Sequence, residues 1–398
     1  MKILYHHRIR SKDGQAVHLE ELVGAFRDLG HDVSVVGPQS FARASFGDDP
    51  KLLGQLKRIL PKALYEVLEL GYNIPAYMRL SRARQKQSPD IIYERYNLYS
   101  LAGVWLSKRT GVPLLLEVNA PLARERATYG SLGLPWLASW LEHWAWRHAA
   151  AVLPVTAVLA SEMRTAGVRP ERIFVIPNAI DPKRFVQPLS VERAKAELGL
   201  SDQIVLGFTG FMRHWHGLDQ VISWLGRPDS LQRLHLVLVG DGPALSALKA
   251  QTAALGLASR VTFTGLVDRD AIARVLAAFD IALQPKAVAY ASPLKLFEYM
   301  ALGKAIVAPD QPNIREVLVH DVSALLFDPA RPDQLTDAIA QLAADTALRQ
   351  RLGKAAHEAI ALRSLTWSDN AKQVLTIARA LDKVRADAAA VINLKNAS

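Results

Sequence analysis

The residues best equipped for chemistry in this 398-residue chain cluster in Ser292-Pro293-Leu294-Lys295-Leu296-Phe297-Glu298-Tyr299-Met300. The run reads as a loop entering a helix, and the preceding Phe279-Asp280-Ile281-Ala282-Leu283-Gln284-Pro285 reads as a short apolar strand. A loop that leaves the carboxyl end of a strand and enters a helix N-terminus is where open α/β sheets hold phosphorylated ligands. Pro293 has no N–H, so the amides of Ala291, Ser292 and Leu294 are the expected donors to a diphosphate, with the charge of Lys295 beside them. One helical turn on, the two carboxylate oxygens of Glu298 can accept both hydroxyls of a ribose. This order of residue types predicts a sugar-nucleotide site.

A second strand, glycine turn and helix start occurs at Gly207-Phe208-Thr209-Gly210-Phe211-Met212-Arg213-His214-Trp215-His216-Gly217. Arg213 can fork onto a diphosphate, and His216 adds charge only if an anion holds it protonated. Arg213, Lys295 and His216 would then stabilise negative charge on a departing nucleoside diphosphate. The plainer reading of His216 is a helix-capping or packing histidine.

Positioning these residues takes two α/β halves. In the first, strands are expected at Ile3 to His6, Asp32 to Val36, Asp90 to Tyr93, Pro113 to Val118, Ala151 to Pro154 and Ile173 to Ile176, alternating with helical periodicity. Ile176-Pro177-Asn178-Ala179-Ile180-Asp181-Pro182 is rich in turn formers and reads as a connection. The pattern restarts with strands at Gln203 to Thr209, Leu234 to Val239, Arg260 to Thr264, Asp280 to Leu283, Ala305 to Ala308 and Ser323 to Phe327, and turns helical after Arg331. The expected domains are 1–182, 183–365 and a helical segment, 366–398, that packs back towards the N-terminal domain.

Length alone calls for two domains of roughly 150 to 200 residues. With no cysteine, disulfides, thiolate metal sites and a cysteine nucleophile are excluded. The N-terminal apolar run, Ile3 to Tyr5, is too short for a signal peptide and reads as a core strand, and the longest apolar run, 149–160, is too short to span a bilayer. The cytoplasm is the expected location, with the inner face of the cytoplasmic membrane as a surface within reach. Net charge is +10, and Lys51 to Arg109 holds eleven Lys or Arg against four acids. Leu52, Leu53, Leu56, Ile59, Leu60, Leu64, Val67 and Leu68 recur there at helical spacing beside Lys51, Lys57, Arg58 and Lys62. That is the pattern of a basic amphipathic helix, either packed on a core with a solvated basic face or lying on an anionic membrane surface. No nucleic-acid motif accompanies the charge, so no nucleic-acid partner is expected.

Over nearly its whole length the chain resembles the retaining glycosyltransferases of family 4, with the two-domain GT-B architecture. The resemblance rests on Gly14, Leu29-Gly30-His31-Asp32-Val33, Ile176 to Asp181, Arg213, His216-Gly217, Val239-Gly240-Asp241-Gly242-Pro243, Phe263-Thr264-Gly265 and Lys295 to Val307. It is closest to a subgroup with Ser-Pro-x-Lys-x-Phe-Glu-Tyr-Met. The resemblance implies two Rossmann-like domains with parallel sheets facing across a cleft. It implies a nucleoside-diphosphate-sugar donor held by Gly14, Arg213, His216, Ala291, Ser292, Leu294, Lys295 and Glu298, and a glycan or lipid-linked acceptor on the N-terminal domain. Cell-surface polysaccharide or glycolipid synthesis is the implied setting.

Two positions depart from the family pattern. With Glu298 as the second glutamate of E-x7-E, the first falls at Tyr290, and Asn119 in Leu116-Glu117-Val118-Asn119 stands where a histidine is usual. Asn119 is no base, though its amide can hydrogen-bond the sugar or acceptor. Glu117 shares its strand face, so both reach the cleft or both are buried and satisfied. The family is commonly thought to use a same-face mechanism in which the leaving phosphate takes the acceptor proton, which requires no protein base, and no nucleophile is nominated. Asp268-Arg269-Asp270 matches a metal-binding D-x-D by letter, but its place before a helix makes Asp268 an N-cap and Asp270 a first-turn acid. No metal and no cofactor are expected. The rival readings are a nucleotide-sugar epimerase on the same fold and a non-catalytic nucleotide-binding relative.

Overall fold

The computed structural model describes residues 1–9, 14–38, 60–128, 130, 132–185, 189–228 and 230–396, with side chains to 383. It falls into two compact units, Met1–Pro177 with Trp367–Ser398, and Asn178–Thr366. The units therefore change at Pro177 and at Thr366, where the sequence placed the boundaries at 182 and 365.

The first unit is built on a parallel sheet of β1 (Lys2–His6), β2 (Asp32–Val36), β3 (Ile91–Arg95), β4 (Leu114–Val118) and β5 (Ala151–Pro154), in the order β2-β1-β3-β4-β5. Strand alternation sends Leu4, Ile92, Leu116 and Val152 into one core. The opposite face carries Tyr5, Tyr93 and Glu117. Tyr93 stacks there on Tyr5 at 4.9 Å and meets Phe26 of the Gly14–Asp28 helix edge-on at 5.9 Å. The Trp367–Asn396 helix packs against that same helix. Ile173 to Ile176 is not a sixth strand. It follows the edge of β5 through Phe174 N–H to Val152 O and Ile176 N–H to Pro154 O, each 3.0 Å, and Pro177, which has no N–H, ends the run. The Leu122–Thr128 helix, unforeseen from periodicity, starts under the buried carboxylate of Glu142, which accepts the Ala123 N–H.

The second unit has β6 (Ile204–Thr209), β7 (Leu234–Val239), β8 (Val261–Gly265), β9 (Ile281–Leu283), β10 (Ala305–Pro309) and β11 (Leu325–Phe327), all parallel, in the order β11-β10-β9-β6-β7-β8. Counted from its first strand this is the 3-2-1-4-5-6 dinucleotide-binding order, and the strand order reverses between β6 and β9. Both faces are covered: Leu206, Phe208, Leu236 and Ile281 enter one core, Val205, Val237, Ala282 and Ile306 the other. Asp268 does not cap its helix by side chain; its carbonyl accepts Ala271 and Ile272 N–H, and the helix runs Ile272–Ala277. Among the described residues no helix is long and apolar enough to cross a membrane. Of the expected basic amphipathic helix, 51–59 lies outside the described residues and Lys62–Gly71 is helical.

Candidate active site

The loops leaving β6 and β9 flank the switch point of the second sheet. The β6 loop is shaped by backbone contacts that only glycine permits. A Cβ on Gly240 (φ +122°) would stand 2.3 Å from Gly210 O, and one on Gly242 (φ +150°) 2.3 Å from Met212 O. Met212 N–H donates to Asp241 O at 2.7 Å, and Gly240 N–H to Gly265 O at 2.8 Å. The Gly-Asp-Gly run after β7 is therefore a buttress beneath the β6 loop.

The β9 loop is held from two sides. Asn178 gives its backbone N–H to Ser292 Oγ at 3.1 Å and its amide to Ser292 O at 2.5 Å. Asn313 gives its amide to Val288 O at 3.1 Å and Ala291 O at 2.7 Å. The Leu294–Ala301 helix that follows is anchored to the end of β6, because the buried Tyr299 hydroxyl accepts the Thr209 N–H at 3.0 Å. Ser292, Asn178, Asn313 and Tyr299 thus position the site. The Ala291 N–H is engaged with Val288 O at 3.2 Å. This corrects the expectation that it faces a ligand, because the tight turn of the loop folds it inward; Ser292 and Leu294 remain as candidate amide donors.

Lys295 points its Nζ over the Phe208 ring, 3.7 Å from the centroid, and a Cβ on Gly210 would stand 3.4 Å from that Nζ. Burial lowers its amine to about 7, with Glu298 pulling the other way. Burial likewise raises Glu298 to about 7 against Lys295 and Arg269. Arg213 is exposed, its guanidinium 5.0 Å from the Phe211 ring centroid and 4.8 Å from that of Trp215. His216 is not a cation here: burial, then Lys295 and Arg213, lower it to about 3. Its Nδ1 accepts the Arg213 N–H at 3.2 Å, so the ring proton sits on Nε2 and is available as a neutral donor. Lys286, which the sequence reading passed over, lies with its stem across Gly217; a Cβ there would meet its Cγ at 3.0 Å. Its signal was simple, a cation just past the carboxyl end of a strand.

The other expected site residues belong to the first unit. Gly14 opens the Gly14–Asp28 helix, and the loop before it, 10–13, lies outside the described residues. Asn119 gives its amide to Glu117 Oε1 at 2.5 Å. Glu117 also accepts the Tyr93 hydroxyl at 2.8 Å, pairs with His18 at 3.0 Å and is bridged by Arg95. Although burial pushes its pKa up, His18, Arg95 and the hydrogen bonds hold it at about 2. Neither of the two readings holds for both residues: Glu117 is buried and satisfied, a fixed anion and no general base, while Asn119, which it orients, is only partly buried. Asp270 is exposed near Arg184, and among the described residues no group of His, Asp and Glu could hold a metal.

Residues 190–359 match the family model described as glycosyl transferases group 1, and residues 13–179 that of a glycosyl transferase 4-like domain. The 2-deoxystreptamine glucosyltransferase of Streptomyces kanamyceticus is 33% identical over 198 residues, 46% of this chain and 50% of that protein. The chain thus spans about half the length of that relative. The MMP alpha-(1->4)-mannosyltransferase of Mycolicibacterium hassiacum is 26% identical over 92% of this chain and 94% of its own. Among solved structures, Anabaena HepE in complex with UDP has a TM-score of 0.74 at 21% identity, covering 94% of this chain and 99% of that one. It is also matched in complex with UDP-glucose. At that identity the likeness shows the fold, which is GT-B.

Proposed function

For a chain that belongs to the GT-B glycosyltransferases, we propose transfer of a sugar, with retention, from a nucleoside-diphosphate sugar to a glycan or lipid-linked acceptor in cell-surface polysaccharide or glycolipid synthesis. The observation that carries this is the convergence of Lys295, Arg213 and neutral His216 at the switch point, with Glu298 one turn along the same helix. Glu298 takes the ribose hydroxyls. Lys295, Arg213 and the Ser292 and Leu294 amides take the diphosphate, and His216 Nε2–H adds a hydrogen bond without adding charge. The donor complexes of HepE make UDP-glucose the first donor to try.

In the reaction the bond from the anomeric carbon to the diphosphate oxygen breaks. The acceptor hydroxyl forms a bond to that carbon on the same face, and its proton passes to the departing phosphate. The cations stabilise the charge that grows on that phosphate. This route is supported by the absence of a free base at Glu117, whose oxygens are occupied by four donors. The acceptor is assigned to the N-terminal unit, with Asn119 held by Glu117 as a hydrogen-bonding group for it.

A thermal-shift screen against UDP, GDP, ADP and TDP and their sugar conjugates tests the reading. A ligand at about 100 times its dissociation constant stabilises by about 2.7 kcal/mol. A selective shift with one diphosphate and its sugar is expected. No shift with any of them in folded protein would overturn the donor site, and turnover of donor without an acceptor to an isomeric sugar nucleotide would assign an epimerase instead.

A further inference from the structure

Three successive helices of the N-terminal unit, Lys62–Gly71, Asn73–Gln87 and Ala102–Thr110, expose apolar side chains beside charge of one sign. The first packs on the second and the second on the third. The Asn73–Gln87 helix carries Arg79, Arg82, Arg84 and Lys86, the Ala102–Thr110 helix Lys108 and Arg109, and neither contains an acid. Ile74 is 63% exposed, Met78 46% and Trp105 38%. With Tyr77 and Arg109 they line a shallow groove of about 280 Å³. The i, i+4 spacing puts Ile74, Met78 and Arg82 in one stripe, and Trp105 and Arg109 in another.

The acids of the neighbouring helix are turned inward or neutralised. Glu66 is buried and accepts the Tyr99 hydroxyl at 2.8 Å and the Leu134 N–H at 3.0 Å. Glu69 is held by Arg126 through two hydrogen bonds, 2.6 and 3.2 Å. What that helix presents outward is Leu64, Val67 and Leu68, each about half exposed. Arg79 is tied to the Tyr72 hydroxyl and Pro75 O, whereas Arg82, Lys86 and Arg109 are exposed and pair with no carboxylate of the described residues.

A contiguous exposed apolar patch marks an interaction surface. Nucleic acid would match the cations but leave the aliphatic and indole groups in water. A bilayer with anionic headgroups matches both, since interfacial helices put Trp and aliphatic side chains at the acyl boundary while Lys and Arg reach back to phosphates. We infer that the outward face of these three helices docks on an anionic lipid surface, with Ile74, Met78 and Trp105 entering the boundary and Arg82, Lys86 and Arg109 on headgroup phosphates. The segment 51–59, also basic and apolar, plays no part in this assignment.

The test uses full-length protein sedimented with vesicles of phosphatidylcholine alone or mixed with phosphatidylglycerol, with no nucleotide present, so its failure leaves the donor site untouched. Binding to the mixed vesicles alone is expected, weakening with added salt. Arg82→Glu with Arg109→Glu, and separately Ile74→Ser with Met78→Ser, should each lower the partition coefficient about tenfold or more. All four side chains are exposed, and circular dichroism melts check that the variants fold. Equal binding to both vesicles, no binding, or unchanged partitioning of folded variants would overturn the inference. A dimer in solution that the Ile74→Ser, Met78→Ser variant dissociates would assign the face to a second copy of the chain.

Discussion

Burial holds the Lys295 amine near 7 and the Glu298 carboxyl near 7, each against the other's charge. A diphosphate binds the protonated amine, so binding must return the proton that burial removes. As pH rises above 7 the amine loses that proton, and its contribution to affinity falls with it. Glu298 must be ionised to take the ribose hydroxyls, so its deprotonation offsets the loss around pH 7 and is complete above about pH 8: from about pH 8 to pH 9, affinity for a diphospho-sugar should fall by up to about tenfold per unit, and Lys295→Met should flatten that fall. Titration calorimetry at a series of pH values reads this directly, and a wild-type affinity that rises from about pH 8 to pH 9 would place the diphosphate elsewhere. Glu298→Ala should weaken nucleotide binding by about 1 to 3 kcal/mol through loss of a charge-assisted ribose contact. Unchanged affinity in a folded variant sinks that assignment. The neighbourhood of these two residues is legible in the sequence because one turn of helix fixes it. The neutrality of His216 is not, since it depends on the Arg213 N–H and on burial against Phe208, 5.2 Å away. Nor is the inward turn of the Ala291 N–H, which depends on how the loop closes.

At the scale of elements, the site depends on three strand-end loops packed backbone to backbone. Gly240 is the clearest probe because the atom its Cβ would meet at 2.3 Å is a carbonyl oxygen of Gly210, and backbone does not swing aside as a side chain does. The residue also sits at φ +122°, which L side chains rarely adopt. Gly240→Ala should cost about 1 to 3 kcal/mol in stability and displace the β6 loop, raising the donor KM with it. A variant with wild-type melting temperature and KM would show that the buttress is dispensable. The strands were legible from apolar runs bounded by turn formers, and their observed limits differ mostly by a residue or two. Ile173 to Ile176 was not, because its β-favouring composition says nothing about whether a partner supplies a full ladder. Asp268 likewise has the composition of an N-cap, while the chain makes a carbonyl-closed turn there and starts its helix later.

At the scale of the whole molecule, two units with separate cores divide the work, and the last helix of the chain belongs to the first. Trp367 is 3% exposed and stacks on His18 at 4.6 Å. Asn370, on the same helix, gives its amide to Pro177 O at 2.7 Å. That helix therefore covers the sheet face bearing Tyr93 and Glu117, while the expected nucleotide ligands other than Gly14 lie in 178–366. The helical character of this segment is plain from its Ala and Leu content, but its partner is a tertiary fact that periodicity does not carry. Trp367→Ala should remove a large buried ring at a cost of about 3 to 5 kcal/mol. Because each unit has its own core, that loss should fall on the first unit's unfolding, and nucleotide should stabilise chiefly the second. Calorimetric melts with and without nucleotide separate the two: the variant's early transition should ignore the ligand, and its nucleotide affinity should match the wild type. Unfolding that stays a single ligand-shifted transition, or affinity lost along with Trp367, would mean that the two cores are not separable in this way.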